Sequence, residues 1–230
     1  MNTTLVISGQ TVTTVRIFYA KTARARYISH LDTMRTITRA LRRSRLPLWH
    51  TEGFNPHLYI TFALPISLGY EGMEESFDIR LTEDVTMDKL AATIGSVLPT
   101  GFTVLRAALP EWEAKDIAWA DYNIRLLYGP EDKERIWQSF ANFNAQPAIT
   151  VDKKSKKGIQ QVDIRPLVQN LAAEATQEAL VMTLRAAAGN SVNINPTLYL
   201  KAFYDWAGWE PEGVRVARTA ILTEDFENFR

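Results

Sequence analysis

Apolar residues recur along this 230-residue chain in two rhythms, and the changes between them mark short elements of both kinds. Residues 15–21 (VRIFYAK) alternate and are rich in β-branched and aromatic side chains, which predicts a strand. Helical spacing then takes over at Leu31, Met34, Ile37 and Leu41, a set expected to form the buried face of a helix. Ser29 stands where an N-cap belongs, with Asp32 three residues on as a capping-box variant whose acid suits the positive helix end. Pro47 stops this element near Leu46. Gly53-Phe54-Asn55-Pro56-His57 is turn chemistry, because Gly permits positive φ and Asn before Pro is held away from the α region. Strands are predicted over residues 58–64 and 76–81, a second helix from Met87, Leu90, Ala91, Ile94 and Leu98, and a closing strand over 101–107. The order is βαββαβ, the split βαβ unit of ferredoxin-like folds.

The second half repeats the theme less cleanly. A strand over 122–128 precedes a helix from Pro130, with Ile136, Phe140 and Phe143 facing inward. Residues 148–152 and 161–164 read as extended, 179–186 as a strand and 197–206 as a helix. The expected class is therefore α+β, two ferredoxin-like units in tandem with the second degenerate. The pattern divides into a flexible extension over 1–14, a first domain over 15–110, a second over 121–210 and a tail over 211–230. The polar piece 111–119 is the natural boundary, and residues 214–223 of the tail have the character of an added strand.

Composition narrows the function classes. At 46% apolar the chain has enough material for a real core. Cysteine is absent, which excludes a disulfide framework, a thiolate zinc site, an iron-sulfur cluster and a catalytic thiol from this chain. No apolar run approaches the roughly 18 residues of a membrane span, and the start lacks a leader pattern. A soluble cytoplasmic protein with no membrane partner is expected.

The balance of 26 basic against 26 acidic residues hides a separation. Residues 21–45 carry Lys21, Arg24, Arg26, Arg35, Arg39, Arg42, Arg43 and Arg45 against Asp32 alone, about +7. Glu71, Glu74, Glu75, Asp78, Glu83, Asp84 and Asp88 form an acidic stretch downstream, and the lysines at 153, 154, 156 and 157 read as a solvated loop. Arg35, Arg39 and Arg42 recur at i, i+4 and i+7, with only Asp32 placed to pair with one of them, so this face points to an anionic partner. Guanidinium forks suit phosphate, while Tyr27, Trp49 and Phe54 offer stacking faces for unpaired bases.

All three histidines, His30, His50 and His57, fall within 28 residues of one another. His30 and His57 form a candidate acid and base pair for RNA cleavage, because imidazoles titrate near neutrality. A metal site is not expected, since His30 and Asp32 do not share a face, and no cofactor is implied. In the second half, Asp163 and Arg165 flank Ile164 as an expected internal ion pair, and Trp206 and Trp209 read as core or interface.

Several blocks carry a resemblance. They are 26–32 (RYISHLD), 39–43 (RALRR), 46–48 (LPL), 52–57 (EGFNPH), 60–65 (ITFALP), Leu68-Gly69, and later 162–166 (VDIRP) and 184–186 (LRA). Together they resemble the radical-SAM-linked proteins, a domain-of-unknown-function family, from about Val15 to Phe203. Leu58 and Tyr59 depart from the small or basic residue expected after His57, and Trp49-His50 is bulkier than the usual pair. The resemblance implies a protein that occurs alone or fused behind cobalamin-type radical SAM enzymes, beside genes of ribosomal proteins and RNA processing. Without cysteine this chain holds no such cluster, so a separately encoded radical SAM enzyme is the implied partner.

The expectation is a non-catalytic accessory that binds RNA or a ribosomal component. Arg24, Arg26, Arg35, Arg39, Arg42 and Arg43 would hold phosphates, while His30, Phe54, Asn55 and His57 would read a nucleotide or the partner. The alternatives are a metal-independent endoribonuclease or RNA-modifying enzyme using His30 and His57, and a protein adaptor that docks an acidic surface.

Overall fold

The structure, a computed structural model, describes residues 3–155 and 158–230. The chain forms two compact units, Met1–Asp116 with Asn228–Arg230, and Ile117–Glu227.

The first unit contains β1 (Thr4–Ile7), β2 (Gln10–Lys21), α1 (His30–Arg43), β3 (Ile60–Phe62), β4 (Glu71–Leu81), α2 (Met87–Val97) and β5 (Phe102–Ala108). Four strands run antiparallel in the order β5-β2-β4-β3, which is the ferredoxin-like order. The pleat of β2 sends Val15, Ile17 and Tyr19 to the side where Ile37 and Leu41 of α1 and Leu90 and Ile94 of α2 bury the core. Residues 1–14, expected as a flexible extension, instead contain β1 and the start of β2, paired from Thr4↔Thr13 to Ile7↔Gln10.

The other face of β2 is closed by a cation. Arg16, opposite in direction to Val15 and Ile17, is 1% exposed. Its Nε and Nη2 donate to Asp78 of β4 at 2.7 and 2.8 Å, and Nη1 donates to the carbonyls of Trp112 and Arg230 at 3.0 and 2.8 Å. The Phe229 ring lies 4.2 Å from the guanidinium. The end of the segment expected as a tail is thus part of the first unit.

In the second unit β6 (Trp119–Leu127), α3 (Lys133–Asn144), β9 (Val168–Ala175), β10 (Ala179–Ala187), α4 (Pro196–Ala207) and β11 (Gly213–Leu222) give the sheet order β11-β6-β10-β9. This is again the ferredoxin-like order, with β11 as its fourth strand rather than an appendage to it. Between α3 and β9 the chain inserts a separate hairpin of β7 (Thr150–Ser155) and β8 (Gly158–Asp163). The lysines at 153 and 154 lie in β7 rather than in a loop, and those at 156 and 157 fall outside the described residues. Strand β9 has no clear alternation in its sequence, VQNLAAEA, which explains why periodicity does not find it. Phe140, Phe143, Tyr199 and Phe203 form the aromatic core where α3 meets α4. Trp209 joins that core through Phe203 and Tyr128, while Trp206 is about half exposed.

Candidate nucleic-acid interface

The arginine-rich segment begins in a 3-10 turn, Ala23–Tyr27, anchored where Thr22 N–H donates to Gly101 O at 2.9 Å. Arg24 is exposed, whereas Arg26 is partly buried over the Tyr27 ring and donates to the Tyr27 hydroxyl at 2.6 Å. Ser29 then caps α1, accepting from Asp32 N–H at 3.1 Å and donating to the Asp32 carboxylate at 2.8 Å. The Ser29 hydroxyl, and after it Arg35, hold the Asp32 carboxyl below its ordinary value.

Which face of α1 points outward follows from about 100° per residue. The buried stripe is Thr33, Ile37, Ala40 and Leu41. Leu31, expected in that stripe, sits about 120° round from Ile37 and is 62% exposed. Arg35, Arg39 and Arg42 fall within about 40° of the direction opposite Ile37. Arg35 meets Asp32 at 3.2 Å, Arg43 Nη2 donates to Val97 O at 3.2 Å, and Arg39 and Arg42 make no ion pair among the described residues. Lys21 does not belong to this face, because it is fully buried and its ammonium donates to Ile28 O at 3.0 Å.

The acids of the stretch that lie in β4 are engaged inside the first unit, whereas Glu83, Asp84 and Asp88 are exposed. Asp78 pairs with Arg16, Glu74 with Arg106 at 2.6 Å, Glu71 accepts from Ala23 N–H at 2.8 Å, and Glu75 is buried. Two acids of β4 are thus matched by cations of the sheet, Glu71 comes within 4.0 Å of Arg26, and the arginines of α1 other than Arg35 make no ion pair among the described residues.

Residues 48–59 form a hairpin beside the end of β4. Trp49 N–H donates to Arg80 O, Tyr59 N–H to Trp49 O and Thr51 N–H to His57 O. The Arg80 guanidinium lies 3.9 Å from the Tyr59 ring centroid and 5.2 Å from that of Trp49. Trp49 is 8% exposed, so it braces the hairpin instead of offering a stacking face. Gly53 turns the tip at φ +112°, and Phe54 beside it is wholly exposed. Tyr59 leads into β3, whose Phe62 takes the His30 ring edge-on at 5.4 Å, so the start of α1 and the hairpin meet at this strand.

Residues 14–196 match a family described as uncharacterized protein conserved in bacteria (DUF2344). The chain belongs to this family. No curated protein matches it. The matched span holds the arginine helix and the hairpin whole and stops at the first residue of α4.

In this DUF2344 chain the three histidines have separate surroundings. His50 Nδ1 meets Leu48 O at 3.1 Å, while His57 Nδ1 meets Thr51 Oγ1 at 2.9 Å and Asn55 O at 3.3 Å. Among the described residues no group of three or more His, Asp or Glu is placed to hold a metal ion, and no helix is long and apolar enough to cross a membrane. Asp163 is not paired with the Arg165 guanidinium as expected. Its Oδ1 accepts from the backbone N–H groups of Ile149 and Arg165, both at 2.9 Å, because Arg165 has already turned into a 3-10 segment. Sequence reasoning missed Arg80 and Ser8, whose hydroxyl donates to Glu52 at 2.6 Å. A lone Arg in the alternating strand SFDIRL is the signal for Arg80, whereas nothing local marks Ser8.

Proposed function

We propose that this protein is a non-catalytic accessory that binds RNA or a ribosomal component through the arginine face of α1, in a cytoplasmic setting alongside a separately encoded radical SAM enzyme. One observation carries the RNA part: Arg24, Arg39 and Arg42 are exposed and lack ion pairs among the described residues, and Arg35, Arg39 and Arg42 share the outward face of α1. Exposed guanidinium groups at helical spacing suit phosphates, and Arg26, Arg35 and Arg43 flank them. The enzyme partnership is supported by the sequence blocks that resemble radical-SAM-linked proteins. Titration of a fluorescent structured RNA across a salt series tests the binding. The joint change of Arg35, Arg39 and Arg42 to Gln should lower the slope of log K against log[salt] by about 0.7 for each single-strand phosphate that is no longer neutralised. A wild-type affinity independent of salt refutes the reading.

The adaptor reading is favoured by a different observation. Tyr27, Leu31 and Leu68 are each more than 60% exposed, and Gly69 N–H donates to Arg26 O at 2.8 Å, which joins the backbone segments that carry Leu68 and Tyr27. Branched aliphatic side chains do not stack on bases, so they suit a protein surface. Copurification of the tagged chain from its native cell, probed for RNA and for a radical SAM enzyme, separates the two.

A further inference from the structure

The hairpin of residues 48–59 is a braced finger. At its base Arg80 lies over both Tyr59 and Trp49, whose rings meet at 5.9 Å. At mid-height Thr51 Oγ1 accepts from His57 N–H at 3.1 Å and meets the His57 ring, and Thr51 N–H donates to His57 O at 2.8 Å. Near the tip the Ser8 hydroxyl, in the turn between β1 and β2, donates to the Glu52 carboxylate. Above these braces stand Phe54, Asn55 and Pro56, all exposed. Pro56 fixes its own backbone angle and restricts Asn55 before it.

We propose that this finger stacks Phe54 on an unpaired base, so that the RNA bound is single-stranded or looped rather than fully paired. The inference rests on the RNA reading above and goes beyond it by naming the class of RNA and the residue that selects it. Of Tyr27, Trp49 and Phe54, it is Phe54 whose ring makes no ring or cation contact among the described residues. Trp49 is buried and Tyr27 is occupied by Arg26 on its face and at its hydroxyl. An exposed ring held on a stiff stalk loses little freedom on binding, which favours stacking. The tip has no cation, and its acid, Glu52, repels phosphate. The finger therefore contacts base and not backbone, with Asn55 placed to offer an amide to a base edge. Phosphates belong to α1, which meets the finger's strand through His30 and Phe62.

The test uses the full chain with two RNAs of equal length, a stem-loop with 2-aminopurine in its loop and a fully paired duplex. Wild type should bind the stem-loop more tightly and quench the 2-aminopurine. Phe54→Ala should weaken stem-loop binding about tenfold, leave duplex binding unchanged and leave the salt slope unchanged, because the charge of the protein is the same. Phe54→Trp should retain affinity and quenching, whereas Phe54→Leu, apolar without a ring, should behave as Phe54→Ala does. Equal thermal midpoints for the variants establish that the fold is intact. If the stem-loop and duplex bind alike, or Phe54→Leu binds as wild type, the finger inference is overturned while the arginine reading stands. Absence of salt-dependent binding to either RNA overturns both.

Discussion

Replacing Arg16 by Met exposes how the first unit is locked. The guanidinium is 1% exposed and makes four hydrogen bonds, two to Asp78 and one each to Trp112 O and Arg230 O. Methionine fills similar volume but leaves the Asp78 carboxylate facing an apolar side chain. Removing one partner of a buried ion pair costs about 3–5 kcal/mol. Asp78 retains 16% exposure, which admits some water and places the cost near about 3 kcal/mol. The carbonyl of Arg230 keeps the Glu111 and Trp112 N–H groups as donors, so its loss is partial. In a chain of this size about 3 kcal/mol corresponds to a fall of about 6–12 °C in the melting midpoint, read by tryptophan fluorescence. Asp78 lies directly across from Arg16 in the β2–β4 register, so changing it to Leu in the Arg16→Met background removes the orphaned charge. The double variant should recover part of the loss. A midpoint for Arg16→Met within about 2 °C of wild type, or strict additivity in the double-mutant cycle, refutes the argument that an uncompensated carboxylate is the cost.

Burial pushes the Tyr199 phenol well above its ordinary value, with the Arg165 charge acting weakly the other way. The unfolded chain ionises this phenol near its ordinary value of 10.0 and the folded chain does not, so its contribution is full below that pH and is lost as pH rises further. Tyr199→Phe should therefore melt close to wild type at pH 8 and resist alkaline unfolding better at pH 11; an equal alkaline loss in both refutes it. Asp163→Ala should lower stability by about 1–3 kcal/mol in urea titration, because two N–H groups lose a charged acceptor, while Asp163→Asn should recover much of it. Gly101→Ala should cost at least about 1 kcal/mol, since φ is +92° and the new Cβ would sit 2.8 Å from Ala25 Cβ and 3.0 Å from Thr22 O. That change also disturbs the turn carrying Arg24 and Arg26, so it should lower RNA affinity as well as stability.

Periodicity alone determined the alternation of strands and helices, the cap of α1 at Ser29 and the presence of an arginine stripe on that helix, because those features depend on residues a few positions apart. It determined the βαββαβ order of the first unit for the same reason. It did not find β9, whose alternation is lost in small and polar residues, nor assign β1 and β11 to their sheets, because strand partners far away in sequence stabilise them. Leu31 escapes burial because angular position relative to Ile37, not membership of an apolar series, decides what a helix buries. The separation of charge was legible only in part. Which acids are spent on internal cations, as Asp78 is on Arg16 and Glu74 on Arg106, depends on strand register. The β3–β4 register and the Leu48↔Leu81 bridge likewise set Arg80 against Trp49 and Tyr59, residues more than 20 positions away in sequence, and leave Phe54 exposed at the hairpin tip.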